Sequence, residues 1–376
     1  MINATFDVET GKIKRIYASA RYPSEQLGNI FYDSEIIPNL KFAEKLPKDL
    51  ECIHAVVAFR ASHILLSRDL LGGKPLYYDQ TGISSFSSYL NNPKEVLPGE
   101  IVKIDYEGKV LEKRIYKFEE VIKKDEKNLE EIEEEILQEI EDLKLENYCI
   151  AFSGGIDSAL LASIHDLPLI SITANEKEEE WVKKVAKELS RDLEVFRIRE
   201  EEIKYEIQEV SKTIETSNFL QLSIAIPIHF TMKFAKRRGF DGIVFGQGAD
   251  ELFGGYKRYE NYSRVELEKA MLEDLKNIGN KNLVRDAKLS YQNEIKLILP
   301  YLRWRILRNS LSIPIELKVA RIEGKIVRKY FLRKIAQKYL SEEVVWREKK
   351  AIQYSTGVVK ILKKLGYSQT GKDLGS

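Results

Sequence analysis

Apolar residues along the first part of the chain come in short runs broken by turn residues. HAVVAFR (54–60) and HILLSRDL (63–70) are strand-length runs, GGKPLYYD (72–79) carries Gly and Pro punctuation, and FSSYL (86–90) and LPGEIVKIDYEGKV (97–110) follow, with Glu107-Gly108 as a tight turn. This spacing predicts a mostly β domain over 1–117. From Phe118 to Glu146 the pattern changes. Leu129, Ile132, Ile136, Leu137, Ile140 and Leu143 recur at helical spacing among thirteen acidic and four basic residues, which predicts an amphipathic connecting helix over 118–147 with a solvated acidic face.

The remainder, 148–376, alternates strand and helix. Strands are predicted at 148–152, 168–174, 193–199 and 241–246, with helices at 157–166, 176–190 and 217–238 between them. Strands separated by helices of this length imply an α/β fold, a parallel sheet covered on both faces. Beyond Tyr256 the pattern is helical and basic, with fourteen Lys/Arg against five Asp/Glu between 301 and 350.

Composition narrows the class without deciding it. The 376 residues carry 60 Lys+Arg and 59 Asp+Glu, a net charge of +1, which excludes a uniformly basic nucleic-acid binder and an acidic disordered chain. Two cysteines, Cys52 and Cys149, exclude a disulfide framework and fit a reducing, cytoplasmic setting. Cys52-x-His54 alone does not make a zinc site. No apolar run reaches the ~20 residues of a membrane helix, and the start lacks the layout of a signal peptide. Lys/Glu richness with little Cys and Met resembles thermophile composition.

Two segments carry chemistry. The first is SGGIDS, Ser153–Ser158, between a predicted strand and a predicted helix. Gly154 and Gly155 permit a sharp turn and close approach to a ligand. The helix N-terminus that follows offers orphan N–H donors and a favourable dipole to a phosphate. Ser153 and Ser158 add hydroxyls. Asp157 would repel a bare phosphate but suits Mg²⁺ held on one. The second is GQGADELFGGY, Gly246–Tyr256, after another predicted strand, with glycines around Asp250 and Glu251. In an open α/β sheet the ligand crevice lies at the carboxyl ends of the strands, so Asp157 and Asp250 are expected on one edge, where they could share a metal. A glycine turn with capping side chains, serines in the first segment and carboxylates in the second, explains either segment alone. It explains the pair poorly.

Together these motifs resemble the synthetase domain of glutamine-hydrolysing asparagine synthetases and the related β-lactam synthetases. KYFLRKIA (329–336) resembles the family's K-x-x-L-R-x-A helix, and LSEEVVWREKKAIQYSTGV (340–358) its R-x-K…G stretch. Asn282–Asp286 with LPYL (299–302) is similar to a worn D-x-x-R…V-P-F-L segment. SRDLLGGKPLYY (67–78) and LPGE (97–100) resemble the second half of the amidotransferase domain. The resemblance implies a pyrophosphate-loop ATPase fold (adenine nucleotide α-hydrolase-like) with a helical C-terminal part. A truncated class II glutamine amidotransferase-like domain of Ntn type would precede it. It further implies ATP bound by Ser153, Gly154, Gly155, Asp157, Ser158, Gly246, Gly248, Arg347 and Lys350, and Mg²⁺ on Asp157 and Asp250. Lys329 would act on phosphate and intermediate as a catalytic residue. A carboxylate would be adenylated and ammonia or an amine would displace AMP.

Departures from the family pattern shape the expectation. The chain begins Met1-Ile2, no Cys precedes Cys52, and the glutamine-holding R-G-P-D and N-G-E segments are absent, so no glutaminase of its own is expected. Ammonia would be free or handed over by a separate glutaminase partner, and a homo-oligomer is compatible with the sequence. Gln247 stands where asparagine synthetases carry Glu and lactam synthetases Tyr, and an amide cannot serve as general base. Lys296, Ile298 and Arg303 replace residues of the acceptor side, which leaves the product open. Two further readings are an RNA-modifying pyrophosphate-loop ATPase using the basic 301–350 stretch, and a weakened ATP-binding regulatory paralogue.

Overall fold

The computed structural model describes residues 1–9, 12–38, 45–348 and 351–367. Two compact units emerge. One comprises Met1–Lys123, Asp274–Glu294 and Leu302–Trp304, the other Lys124–Glu273, Ile295–Tyr301 and Arg305–Ser376.

The first unit is built on two sheets. Its strands are β1 (Ile2–Glu9), β2 (Lys12–Ala20), β3 (Glu25–Leu27), β4 (Ile30–Ser34), β5 (His54–Phe59), β6 (Ile64–Arg68), β7 (Tyr77–Tyr78), β8 (Gly82–Ser84), β9 (Lys94–Glu95), β10 (Glu100–Ile104) and β11 (Val110–Ile115). One sheet has the order β2-β1-β8-β7-β9 and the other β11-β10-β6-β5-β4-β3, all pairs antiparallel. Alternate residues of each strand meet in one core. Ile2, Ala4 and Phe6 of β1 lie with Ala55 and Val57 of β5, Ile64 and Leu66 of β6, and Val102 and Ile104 of β10. In β1 period-2 alternation sets the register, since a slip of one residue would turn Ile2, Ala4 and Phe6 outward, whereas β5 and β6 are buried on both faces. The predicted turn is present, with Gly108 donating to the Asp105 carbonyl at 3.1 Å between β10 and β11. The opening hairpin β1–β2 and the pair β3–β4 are additions to the sequence expectation.

The helix expected continuously over 118–147 is two pieces, Phe118–Val121 and Leu129–Glu141. The second starts where Asn128 makes a capping box: its side chain accepts from the Glu131 N–H, and Glu131 accepts from the Asn128 N–H. Ile132, Ile136 and Ile140 are its buried stripe, as the spacing predicts.

The second unit holds a parallel five-stranded sheet: β12 (Tyr148–Ala151), β13 (Leu169–Thr173), β14 (Leu193–Arg197), β15 (Gly242–Val244) and β16 (Lys296–Ile298). Its order is β14-β13-β12-β15-β16. Successive strands run outward from β12 to β14, then the chain crosses back and continues from β15 on the other side of β12. The junction between β12 and β15 is thus the point where strand order reverses. Near-continuous apolar strands such as LISIT (169–173), all buried, fit a sheet covered on both faces. Helix Phe219–Arg237 is apolar enough to pack along it, with Ala225, Ile226, Ile228 and Met232 buried. Helix Glu200–Ile214, strand β16, and a hairpin of β17 (Val319–Ile322) with β18 (Lys325–Arg328) lie outside the sequence expectation. Among the described residues no helix is long and apolar enough to cross a membrane.

Replacing Asn128 with Ala removes the acceptor of the capping box and should lower the stability of the second unit by about 1 kcal/mol. A downward shift of its urea midpoint at unchanged slope is the expected reading.

Candidate active site

The carboxyl ends of β12 and β15 run into the two glycine loops, so both motifs stand at the reversal point of the sheet. The first loop turns at Gly154, whose φ is +63°. A Cβ there would meet Trp181 Nε1 at 2.6 Å, so only glycine fits. Gly155 then caps the helix Ile156–Ile164. The two serines knit the loop together: the Ser153 N–H donates to Ser158 Oγ at 3.2 Å, and Ser158 Oγ donates to the Gly155 carbonyl at 3.1 Å. In the second loop Gly248, at φ +91°, opens the short helix Ala249–Phe253, and Gly254, at +78°, ends it. Gly246 comes so close to the first loop that a Cβ on it would lie 3.0 Å from Asp157 Cβ.

Lys329 joins the two loops. Its ammonium donates to both carboxylate oxygens of Asp157 at 2.6 Å and reaches Asp250 Oδ1 at 2.8 Å. The residue is 1% exposed, while the side chains of Asp157 and Asp250 keep 19% and 18% of their surface open. Burial pulls the ammonium below the usual lysine range, opposed by the Asp157 carboxylate beside it. Lys329 is also backbone-strained: its φ of +56° is left-handed, uncommon for a side chain of this size. The sequence motif implies a helical Lys329, but the helix is Tyr330–Ala336 and Lys329 sits one residue ahead of it. That position aims the side chain off the helix axis towards the loops. Space for it exists because residue 255 is glycine, where a Cβ would fall 1.8 Å from Asp250 Oδ1 and 2.3 Å from Lys329 Cε.

Neighbouring groups fix this arrangement. Tyr301, after β16, donates its hydroxyl to the Asp157 carbonyl at 2.9 Å. Arg328 donates to the Gly255 carbonyl at 2.8 Å and pairs with Glu260 at 2.9 Å. Glu251 is buried and accepts from the Tyr256 hydroxyl at 2.5 Å. Gln247 is half-buried in the loop beside them.

The sequence-derived residues are thus placed as follows. Ser153, Gly154, Gly155, Asp157, Ser158, Gly246, Gly248, Asp250 and Lys329 converge at the reversal point. Arg347 lies with the first loop's support: it bonds Glu178 at 2.8 Å and stacks over the Trp181 ring at 4.1 Å. Lys350 lies outside the described residues. Trp181, Glu178 and Arg328 are additions that no motif marks, because their roles depend on neighbours remote in sequence, while Gly255 and Tyr301 stand within the segments 246–256 and 299–302 without having been singled out as site residues.

Two carboxylates that share one cation at these distances form a hard-oxygen pair, the kind of protein contribution Mg²⁺ takes beside phosphate and water oxygens. Among the described residues no set of three or more His, Cys, Asp or Glu converges, so such an ion would need its remaining ligands from elsewhere.

An open parallel sheet with glycine loops at its reversal point and a buried cation between them defines an α/β enzyme site of nucleotide-binding type. The asparagine synthase family model matches residues 144–268 and 260–367, more than half of the chain. The chain belongs to this family, whose members form amide bonds with ATP, and is accordingly a carbon–nitrogen ligase. A Methanocaldococcus jannaschii protein named as a glutamine-hydrolysing asparagine synthetase is 29% identical over 413 residues, covering 90% of this chain and 75% of its own length. The glutamine-hydrolysing asparagine synthetase 1 of Saccharomyces cerevisiae is 28% identical over 162 residues, 40% of this chain and 28% of the yeast protein. The chain therefore spans three quarters of one relative and under a third of the other. An NH3-dependent NAD synthetase from Campylobacter jejuni overlays 42% of this chain and 96% of its own at 14% identity and a TM-score of 0.29.

Glycine substitutions test the close approaches. Gly154→Ala and Gly255→Ala should each lose roughly 1–3 kcal/mol of stability, because a neighbour must shift. At Gly155 a Cβ would meet only Ser153 Oγ at 3.3 Å, and φ is not in the left-handed region. Gly155→Ala should stay within about 0.5 kcal/mol of the parent. Urea denaturation of the three variants reads this difference directly.

Proposed function

We propose that the chain adenylates a carboxylic acid with ATP and transfers the acyl group to ammonia or an amine, without hydrolysing glutamine itself. The observation that carries this reading is the buried Lys329 ammonium shared by Asp157 and Asp250, one carboxylate from each glycine loop.

The proposed chemistry follows from where charge moves. The substrate carboxylate attacks the α-phosphorus of ATP, and the bond to the pyrophosphate oxygen breaks, giving acyl-adenylate and pyrophosphate. Negative charge grows on that leaving oxygen. The N–H groups at the start of helix Ile156–Ile164 are preorganised donors for it, and the Lys329 ammonium, held by Asp157 and Asp250, would supply positive charge beside it. Mg²⁺ on Asp157 and Asp250 would add charge neutralisation on the phosphates. The amine then attacks the acyl carbon, AMP leaves with the C–O electron pair, and the amine gives up a proton. Gln247 cannot take that proton, so the altered position weakens the acceptor half of the reaction rather than adenylation.

The absence of a glutaminase is supported by the thiols. The sequence has two cysteines. Cys52 is 2% exposed, and burial pushes its thiol up to about 12. Cys149 lies inside β12, where burial likewise raises the thiol. A nucleophilic cysteine works as a thiolate, and neither environment favours one. The β domain over 1–117 is then read as a non-catalytic amidotransferase-like domain, and nitrogen arrives as ammonia, free or from a separate glutaminase. A cytoplasmic location fits these reduced thiols.

The RNA-binding alternative loses its main support. Four cations of the 301–350 stretch pair with carboxylates: Arg305 to Glu135 at 3.5 Å, Arg328 to Glu260 at 2.9 Å, Lys338 to Glu133 at 2.5 Å and Arg347 to Glu178 at 2.8 Å. Pairing lowers the positive field these four would offer to a phosphate backbone.

The deciding experiment is pyrophosphate release from Mg·ATP across a panel of carboxylic acids with saturating ammonium. One or more acids should give stoichiometric AMP, pyrophosphate and amide. Asp157→Ala and Asp250→Ala should abolish turnover, and glutamine should fail to replace ammonium. Release of pyrophosphate with no acid in a broad panel would overturn the reading.

A second outcome concerns Gln247. Restoring a carboxylate with Gln247→Glu should raise any asparagine formation from aspartate and ammonium by a factor of ~10²–10⁴, the usual worth of a general base, with ATP affinity little changed. AMP and asparagine are measured together in parent and variant. Equal rates would show that residue 247 is no impediment.

A further inference from the structure

Trp181 stands on helix Glu176–Glu188, which follows β13 rather than either glycine loop. Its indole Nε1 donates to the Gly154 carbonyl at 2.9 Å. That carbonyl belongs to the left-handed residue on which the first loop turns. The indole is itself held. The Arg347 guanidinium lies 4.1 Å above its ring, and Lys184 Nζ lies 5.8 Å from the same ring. Arg347 is anchored by Glu178 at 2.8 Å, one turn before Trp181 on the same helix, and Glu178 is 6% exposed. The Arg347 carbonyl accepts from Arg333 at 3.4 Å, and Arg333 also donates to the carbonyls of Val345 and Arg328. Arg328 in turn holds the Gly255 carbonyl of the second loop at 2.8 Å. A chain of contacts, the indole N–H, the guanidinium on its ring and then arginine-to-carbonyl bonds, thus runs from one glycine loop to the other.

We propose that Trp181 and Arg347 are positioning residues for the phosphate-holding loop Ser153–Ser158, Arg347 acting through the indole rather than on the nucleotide. This rests on the ATP-binding reading above. A loop that binds phosphate through backbone N–H groups must have its peptide planes fixed before the ligand arrives. The Gly154 peptide is the one most free to flip, because glycine tolerates both signs of φ. The indole N–H locks that carbonyl away from the phosphate side. Arg347 and Glu178 fix the indole: a planar guanidinium suits an aromatic face and a carboxylate at once, where an ammonium gives only a point charge.

The test is affinity for a non-hydrolysable Mg·ATP analogue, measured by calorimetry on the full chain, with thermal unfolding as the check on folding. Trp181→Phe keeps the ring under Arg347 but removes the N–H, and should weaken binding ~3–10-fold, the worth of one hydrogen bond. Arg347→Gln should weaken it comparably, and Arg347→Lys should recover part of the loss. The decisive measurement is the double variant. If Arg347 acts through the indole, Arg347→Gln adds nothing in the Trp181→Leu background. Additive losses would mean that Arg347 contacts the nucleotide itself, and would overturn the proposal. So would Trp181→Phe binding like the parent. Should Trp181→Leu fail to fold, the same cycle run with Trp181→Phe and Arg347→Gln still separates additive from non-additive loss through the N–H contribution. Tryptophan fluorescence gives an independent signal. The analogue should change the emission of the parent, and that change should vanish in Trp181→Phe, leaving Trp304 and Trp346. Failure of the parent itself to bind the analogue would sink the ATP reading instead, and is distinguishable for that reason.

Discussion

A single buried ammonium organises the second unit. Lys329 lies between Asp157 and Asp250, and those carboxylates belong to loops that follow different strands. Two like charges this close would repel in a partly desolvated setting, and a lysine buried without partners would lose its proton. Each member therefore makes the presence of the others affordable. The left-handed backbone of Lys329, the missing Cβ at Gly255 and the close approach of Gly246 to Asp157 all serve that contact. Strain of this type persists only where surrounding structure over-determines it, and here the strain coincides with the polar centre of the unit.

The sheet explains why the loops meet at all. Strand order reverses between β12 and β15, so the segments leaving these two strands start side by side at the carboxyl ends of adjacent strands. Both glycine motifs begin there. The order also explains the role of β16, which extends the sheet beyond β15 and delivers Tyr301 to the Asp157 carbonyl. The family match over residues 144–268 and 260–367 makes the chain a carbon–nitrogen ligase, and the topology separately brings two glycine loops and a three-residue ion cluster to the reversal point of the sheet.

The basic C-terminal stretch illustrates how composition misleads without structure. An excess of cations over 301–350 suggests a surface for polyanions. In the fold, several of these groups bind carbonyls or carboxylates of the second unit: Arg328 reaches Gly255 and Glu260, Arg333 the carbonyls of Val345 and Arg347, and Arg347 reaches Glu178. Arginine is suited to this, since its fork of five donors satisfies several acceptors at once. The segment works as an internal brace.

What the sequence by itself determined is local. The two glycine motifs, the strands that precede them, the acidic amphipathic helix with its Ile132, Ile136 and Ile140 stripe, and the apolar runs of β5, β6 and β10 are all written in neighbouring residues, because turn chemistry and apolar periodicity act over a few positions. Tertiary structure decided the rest. Nothing near residue 329 says that its backbone leaves the helix to reach Asp157 and Asp250. Nothing near Trp181 says that its N–H will find Gly154. No pattern in 274–294 says that this segment joins the first unit. These outcomes depend on groups far apart in sequence meeting where only one arrangement satisfies charge, hydrogen bonds and space together, and that condition exists only once the chain has folded.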